Sequence, residues 1–162
     1  MNTIITDIVR HTRQHHAIEH ATIHVLTEKF PRQPFSGFSD PAGFFIYGDV
    51  AQENLRRAVG DALSRLQAGE SELAIHPNCG TNLVTTGILV TFVALLAGSG
   101  KRSHWEKFSA ILLFVLPALL LGRSLGSRLQ NYTTLADVSN RWLADIRPVA
   151  VGNGRAYRVL FE

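Results

Sequence analysis

Residues 15–24 read HHAIEHATIH, four histidines and one glutamate in ten positions, interleaved with small and apolar residues. On a helix turning about 100° per residue, His16, His20 and His24 step round by only about 40° each, with Glu19 about 60° from His16. Two histidines at i and i+4 can hold one metal ion from a single helical face, the geometry of helical zinc sites. His16-Ala17-Ile18-Glu19-His20 also matches H-x-x-E-H, the inverted zinc-peptidase arrangement. In that chemistry the two histidines bind zinc, while the glutamate activates the attacking water and accepts its proton. His16 and His24 stand about 12 Å apart along the axis, too far to share one ion. His24 is therefore a reserve candidate, and His15 points away from the main arc. A short pattern with three specified positions also occurs on surface helices that bind nothing.

A second segment, HPNCGTN at residues 76–82, sets His76 and Cys79 three positions apart. Pro77 and Gly80 favour a defined turn, and turn-held His and Cys are good ligands for a soft or borderline metal. Taken alone, Cys79 could be a small buried residue and His76 a capping residue. A zinc site needs three or four ligands, however, and the histidine-rich helix supplies two. The candidate ligand set is His16, His20, His76 and Cys79, with Glu19 as the candidate catalytic base. Weaker candidates are Asp40 and Asp49, both at turn positions, and Asn82, either a substrate contact or a helix cap.

These residues need elements to position them. The chain has 162 residues, about one domain's length, of which 46% are hydrophobic and 18% charged. Its formal net charge is +3, and the Lys and Arg residues are dispersed rather than clustered. That distribution gives no nucleic-acid-binding stripe. One cysteine excludes an intrachain disulfide and suits a reducing compartment. MNTIITDIVRHTRQ lacks an apolar h-region, so no cleavable signal is expected.

Residues 4–29 contain neither Pro nor Gly, and Ile4, Ile8, Ile18 and Val25 suggest one apolar helical face. This reads as one long helix or two consecutive ones, stopped by Pro31 and Pro34. Phe35–Phe38 and Phe44–Val50 are expected arms of a hairpin. Residues 51–70 read as an amphipathic helix with its stripe at Leu55, Val59, Ala62, Leu63 and Leu66. SELAIH at 71–76 reads as a short strand. Residues 80–99 carry no charge, and residues 108–122, FSAILLFVLPALLLG, form a second apolar run. Their strongly apolar cores approach the length that spans a bilayer once flanking residues are counted. The expectation is a transmembrane helical hairpin, the alternative a buried hairpin in a soluble bundle. Trp105, beside Arg102 and Lys107, suits an interfacial anchor at its tip. TLADVSNRWLADI at 134–146 suggests a short amphipathic helix, and residues 149–162 a hairpin turning at Gly152-Asn153-Gly154.

The expected architecture is α+β: a small helix and hairpin domain, residues 1–79 and 123–162, interrupted by a transmembrane helical hairpin at 80–122. The expected function is a membrane-anchored zinc hydrolase, a metallopeptidase above all, acting on membrane-proximal peptides or lipid-linked molecules. The alternative is a non-catalytic metal-binding membrane protein with a structural or sensing site. Basic residues flank both ends of the hairpin, so orientation is left open by charge. The free cysteine and absent signal favour a cytoplasmic soluble domain.

AIEHATIH followed by HPNCGT and an apolar helix resembles the YqhQ-like bacterial membrane proteins. Their pattern is H-G-A-E-H-K followed by H-P-R-C-G-T and transmembrane helices. His16, Glu19 and His20 match the first motif; His76, Pro77, Cys79, Gly80 and Thr81 match the second. Ala17-Ile18, Ala21 and Asn78 depart from it. The resemblance covers residues 15–24 and 76–98. It implies a metal-dependent enzyme of a bacterial inner membrane and leaves the substrate unspecified.

Overall fold

A computed structural model describes residues 2–100, 103–151 and 154–162. Lys101 and Arg102 of the expected hairpin tip, and Gly152-Asn153 of the expected turn, lie outside the described residues. The elements in chain order are α1 (Asn2–Lys29), β1 (Ser36–Asp40), β2 (Gly43–Tyr47), α2 (Gln52–Gln67), a 3-10 turn (Ser71–Ala74), α3 (Gly80–Gly98), α4 (His104–Thr133), β3 (Leu143–Val151) and β4 (Gly154–Phe161). The fold is α+β. It divides into two compact units, residues 1–76 with 133–162, and residues 77–132.

In the first unit, four antiparallel strands pair in the order β1-β2-β4-β3. Asp40 shapes the β1–β2 turn: its Oδ1 accepts from the amides of Ala42 at 2.8 Å and Gly43 at 3.1 Å. Gly43 continues the turn at φ 155°, where a Cβ would lie 2.0 Å from the Val159 carbonyl oxygen. The core joins Ile18, Val25 and Leu26 of α1 to Leu55 and Val59 of α2, Phe44 and Ile46 of β2, Ile146 of β3 and Val159 of β4. The α2 stripe is buried as its spacing requires, with Ala58 added. The α1 stripe is not continuous. Ile18 and Val25 are fully buried, whereas Ile4 and Ile8 are 68% and 45% exposed, so only the later turns of α1 face the core.

Two segments differ from expectation. Residues 71–74 form a 3-10 turn rather than a strand, closed by Leu73 N–H to Glu70 O and Ile75 N–H to Glu72 O. Local bonds satisfy those amides, and the carbonyls of Ala74 and Ile75 accept from histidines of α1 instead of a strand. Residues 134–142 are not helical, and Leu143–Ile146 belong to β3. Their backbone groups bind outside the segment: Leu135 N–H donates to Arg13 O, and Asp137 O accepts from Gln14 Nε2. Pro148 suits the edge position of β3 and would interrupt a helix.

In the second unit, α3 and α4 pack through small residues. The buried residues of α4 are Ala118, Gly122, Gly126 and Gln130, one every fourth position. A Cβ on Gly122 would lie 2.8 Å from Thr86 Cα, and one on Gly126 2.7 Å from Asn82 Cα. Such close backbone approach is how helices associate where no water drives them together. Polar groups clasp one end: Asn82 Nδ2 donates to Pro77 O at 2.8 Å, and Gln130 Nε2 donates to Asn82 Oδ1 at 3.0 Å. Both helices are long and apolar enough to cross a membrane. Only 6% and 11% of their most apolar stretches are buried, leaving Leu83, Ile88, Leu113 and Leu120 more than half exposed. Helix α4 continues beyond the apolar run, through Arg123 and Arg128 to Thr133.

Candidate metal centre

The central turns of α1 carry the histidines, and their neighbours set each ring's tautomer. A carbonyl can only accept, so each ring nitrogen bonded to one is protonated. His16 Nδ1 donates to Thr133 O at 3.1 Å, and His20 Nδ1 donates to Ala74 O at 2.7 Å. In the neutral rings Nε2 then carries the lone pair. This is the usual support of a metal-binding imidazole, whose second nitrogen is oriented by a carbonyl or carboxylate. His24 takes the opposite tautomer, with Nε2 donating to Ile75 O at 2.9 Å.

His16 and His20 have ring centroids 4.3 Å apart, His20 and His76 5.7 Å, and His24 and His76 5.0 Å. Two imidazoles sharing one tetrahedral zinc place their centroids about 5 Å apart, from Zn–N bonds near 2 Å. The His16 and His20 rings are thus gathered at a distance near that of a shared ion. Burial pushes His76 down to about 4, with the neighbouring His20 and His24 adding to the shift. A neutral ring is also the metal-binding form. The donor chemistry and the carbonyl-set tautomers fit a zinc ion.

Glu19 lies on another side of the same helix. It is buried, accepts a short hydrogen bond from the Ser39 hydroxyl, and is covered by Gly37, where a Cβ would come 2.7 Å from Glu19 Cδ. Its carboxylate is held against β1, while His20 is held against the 3-10 turn. His15, also buried, donates from Nδ1 to Asp40 O at 2.9 Å and stacks on Phe161 at 5.2 Å. Its pKa is lowered, chiefly by burial. Asp40 itself pairs with Arg158 at 2.6 Å, and Asp49 with Arg155 at 3.1 Å. Asp40 is thus engaged at the β1–β2 turn, whereas Asp49, just past β2, makes an exposed ion pair.

Cys79 belongs to the second unit, three residues beyond His76 in the chain. It is buried and caps α3, its Sγ accepting from the Thr81 amide at 3.4 Å. Asn82 serves the α3–α4 clasp. Residues that no spacing rule singles out also matter: Gly37 and Ser39 around Glu19, and the carbonyls of Ala74 and Ile75. For Gly37 and Ser39, the sequence signal is the small-residue run SGFSD, which straddles the expected strand Phe35–Phe38 and the turn after it.

The sequence pattern of DUF6391, a domain of unknown function, matches residues 11–146. The chain belongs to this family. The DUF6391 match contains His16, Glu19, His20, His24, His76 and Cys79, both apolar helices and the start of β3. An uncharacterized protein of Picosynechococcus sp. (strain ATCC 27264 / PCC 7002 / PR-6) is 45% identical over 91 residues, 51% of this chain and 44% of that protein. The match thus spans less than half the length of that relative. No solved structure matches the chain.

Proposed function

We propose that this DUF6391 protein is a membrane-anchored, zinc-dependent hydrolase, in the first instance a metallopeptidase working near a membrane surface. The observation that carries this reading is the pair His16 and His20, one helical turn apart, each with Nδ1 donated to a backbone carbonyl. In this proposal His16 and His20 bind zinc, with His76 or Cys79 completing the set; Cys79 enters by its place in the chain, three residues past His76. Zinc held there would supply Lewis acidity to an oxygen of the substrate or of the attacking water. Glu19 is the candidate general base of this reading; its carboxylate, bonded to Ser39 against β1, would have to turn toward the His16–His20 pair to take the proton of a water there and pass it to the leaving group. The likeness to the YqhQ-like proteins at both motifs supports the same reading. The helices α3 and α4 would anchor the chain in a bacterial inner membrane, with the soluble domain on the cytoplasmic side.

A non-catalytic metal site is the second reading, favoured by the Ser39–Glu19 hydrogen bond and the close cover of Gly37, which suit a structural carboxylate. Glu19→Gln separates the two. Zinc retained with peptide hydrolysis lost supports the hydrolase; zinc retained with no hydrolysis in either protein supports the structural or sensing site. Protein purified without zinc, and failing to take it up, removes both.

A further inference from the structure

The second unit contains a cleft of about 410 Å³ at the polar end of α3. Its walls include Pro77, Asn78 and Cys79 before the helix, Leu83 and Thr86 on its first turns, and Arg123 from α4. Gly122 lets α4 come within a bare backbone's distance of Thr86, and this close approach brings the next residue, Arg123, to the cleft. Arg123 has neither an ion pair nor a hydrogen bond among the described residues. No acidic residue lines the cleft, so nothing in its wall neutralises the guanidinium.

The placement along the helices is as informative as the charge. The uncharged run of α4 ends at Gly122, and the uncharged stretch of α3 begins at Gly80. The cleft therefore opens where the apolar stretch of α3 begins and that of α4 ends, with Arg123 at its polar edge. Leu83 is 77% exposed beside it, and Val84 and Ile88 continue an exposed apolar surface along α3. A cation at the top of an apolar track matches an amphiphile: an anionic head for Arg123 and an acyl chain for the helix surface.

We propose that this cleft binds the phosphate head of an anionic lipid, with Arg123 as the recognition residue. This binding does not depend on the metal-site reading above.

The test uses the full chain in a neutral detergent. Lipid binding is followed by native mass spectrometry during titration with phosphatidylglycerol, phosphatidylcholine of the same chains, or inorganic phosphate. Phosphatidylglycerol is expected to bind best, and Arg123→Gln to weaken it about tenfold or more. Arg128→Gln, which removes the same charge five residues further along α4 and outside the cleft, should change affinity less than about twofold. Undiminished affinity in Arg123→Gln overturns the proposal, as does equal weakening by Arg128→Gln, which would show diffuse charge attraction. Displacement of the lipid by millimolar inorganic phosphate overturns the lipid assignment in favour of a free-anion site. Zinc content is measured on the same preparations. Arg123-dependent lipid binding without zinc upholds the lipid site and ends the metal reading; zinc without Arg123-dependence does the reverse.

Discussion

His20 donates its Nδ1 proton to the carbonyl of Ala74 at 2.7 Å, across 54 positions of sequence. The bond ties the middle of α1 to the 3-10 turn just before His76, and it selects the tautomer that leaves Nε2 as the basic nitrogen. A helical histidine is thereby set for a ligand role by a backbone group rather than by another side chain.

The first prediction concerns that role. His20→Ala and His16→Ala should each lower zinc affinity at least tenfold, read as metal content after dialysis against a competing chelator. Thermal unfolding of the wild type should fall on chelation and recover on adding zinc, because an ion that binds only the folded state stabilises it. The two variants should show little of that response. Wild-type metal content in both variants would end the assignment.

A steric prediction follows from Gly37. Its missing side chain leaves the space that the Glu19 carboxylate occupies, so Gly37→Ala should destabilise the fold by about 1–3 kcal/mol. In a Glu19→Ala background much of that cost should vanish, giving a clear coupling in a double-mutant cycle measured by denaturant unfolding. Additive effects would show that Gly37 is needed for some other reason.

The pH dependence has a definite sign. His76 titrates at about 4 in the folded chain against 6.5 unfolded, and His15 is shifted the same way. As pH falls below 6.5 the unfolded chain takes up protons that the folded chain refuses, so stability drops. For His76 the loss is complete near pH 4. Metal-free protein should therefore unfold at progressively lower temperature between pH 7 and 4. His76→Gln should flatten that slope, and an unchanged slope would rule His76 out as its source.

In the helical hairpin, Gly126→Leu should force α3 and α4 apart, since even a Cβ there would meet the backbone of Asn82 at 2.7 Å. Gln130→Leu should cost less, about 1–3 kcal/mol, by removing the donor to the buried Asn82 Oδ1. Protease sensitivity in detergent, compared at one temperature, should rank Gly126→Leu above Gln130→Leu and both above wild type.

Elements whose signal is local were legible in the sequence. The α2 stripe, the β1–β2 hairpin with Asp40 at its turn, the end of the β3–β4 pairing over residues 149–162 and the two apolar helices all follow from periodicity and composition. So does the helical spacing that puts His16 and His20 on one face. Tertiary structure decided the rest, because long-range hydrogen bonds outweigh weak local preference. Residues 71–74 became a 3-10 turn whose neighbouring carbonyls hold His20 and His24. Residues 134–142 gave up a helical pattern to bind α1 backbone and side chains, and the next residues to pair with β4. The first turns of α1 lost their expected core contact because no element covers Ile4 and Ile8. Most consequential, Glu19 and His20 are adjacent in sequence, yet a step of about 100° on the helix sends one to Ser39 and the other to Ala74. Helical spacing grouped Glu19 with the histidines on one arc; the packed strand and turn decided that each meets a different partner.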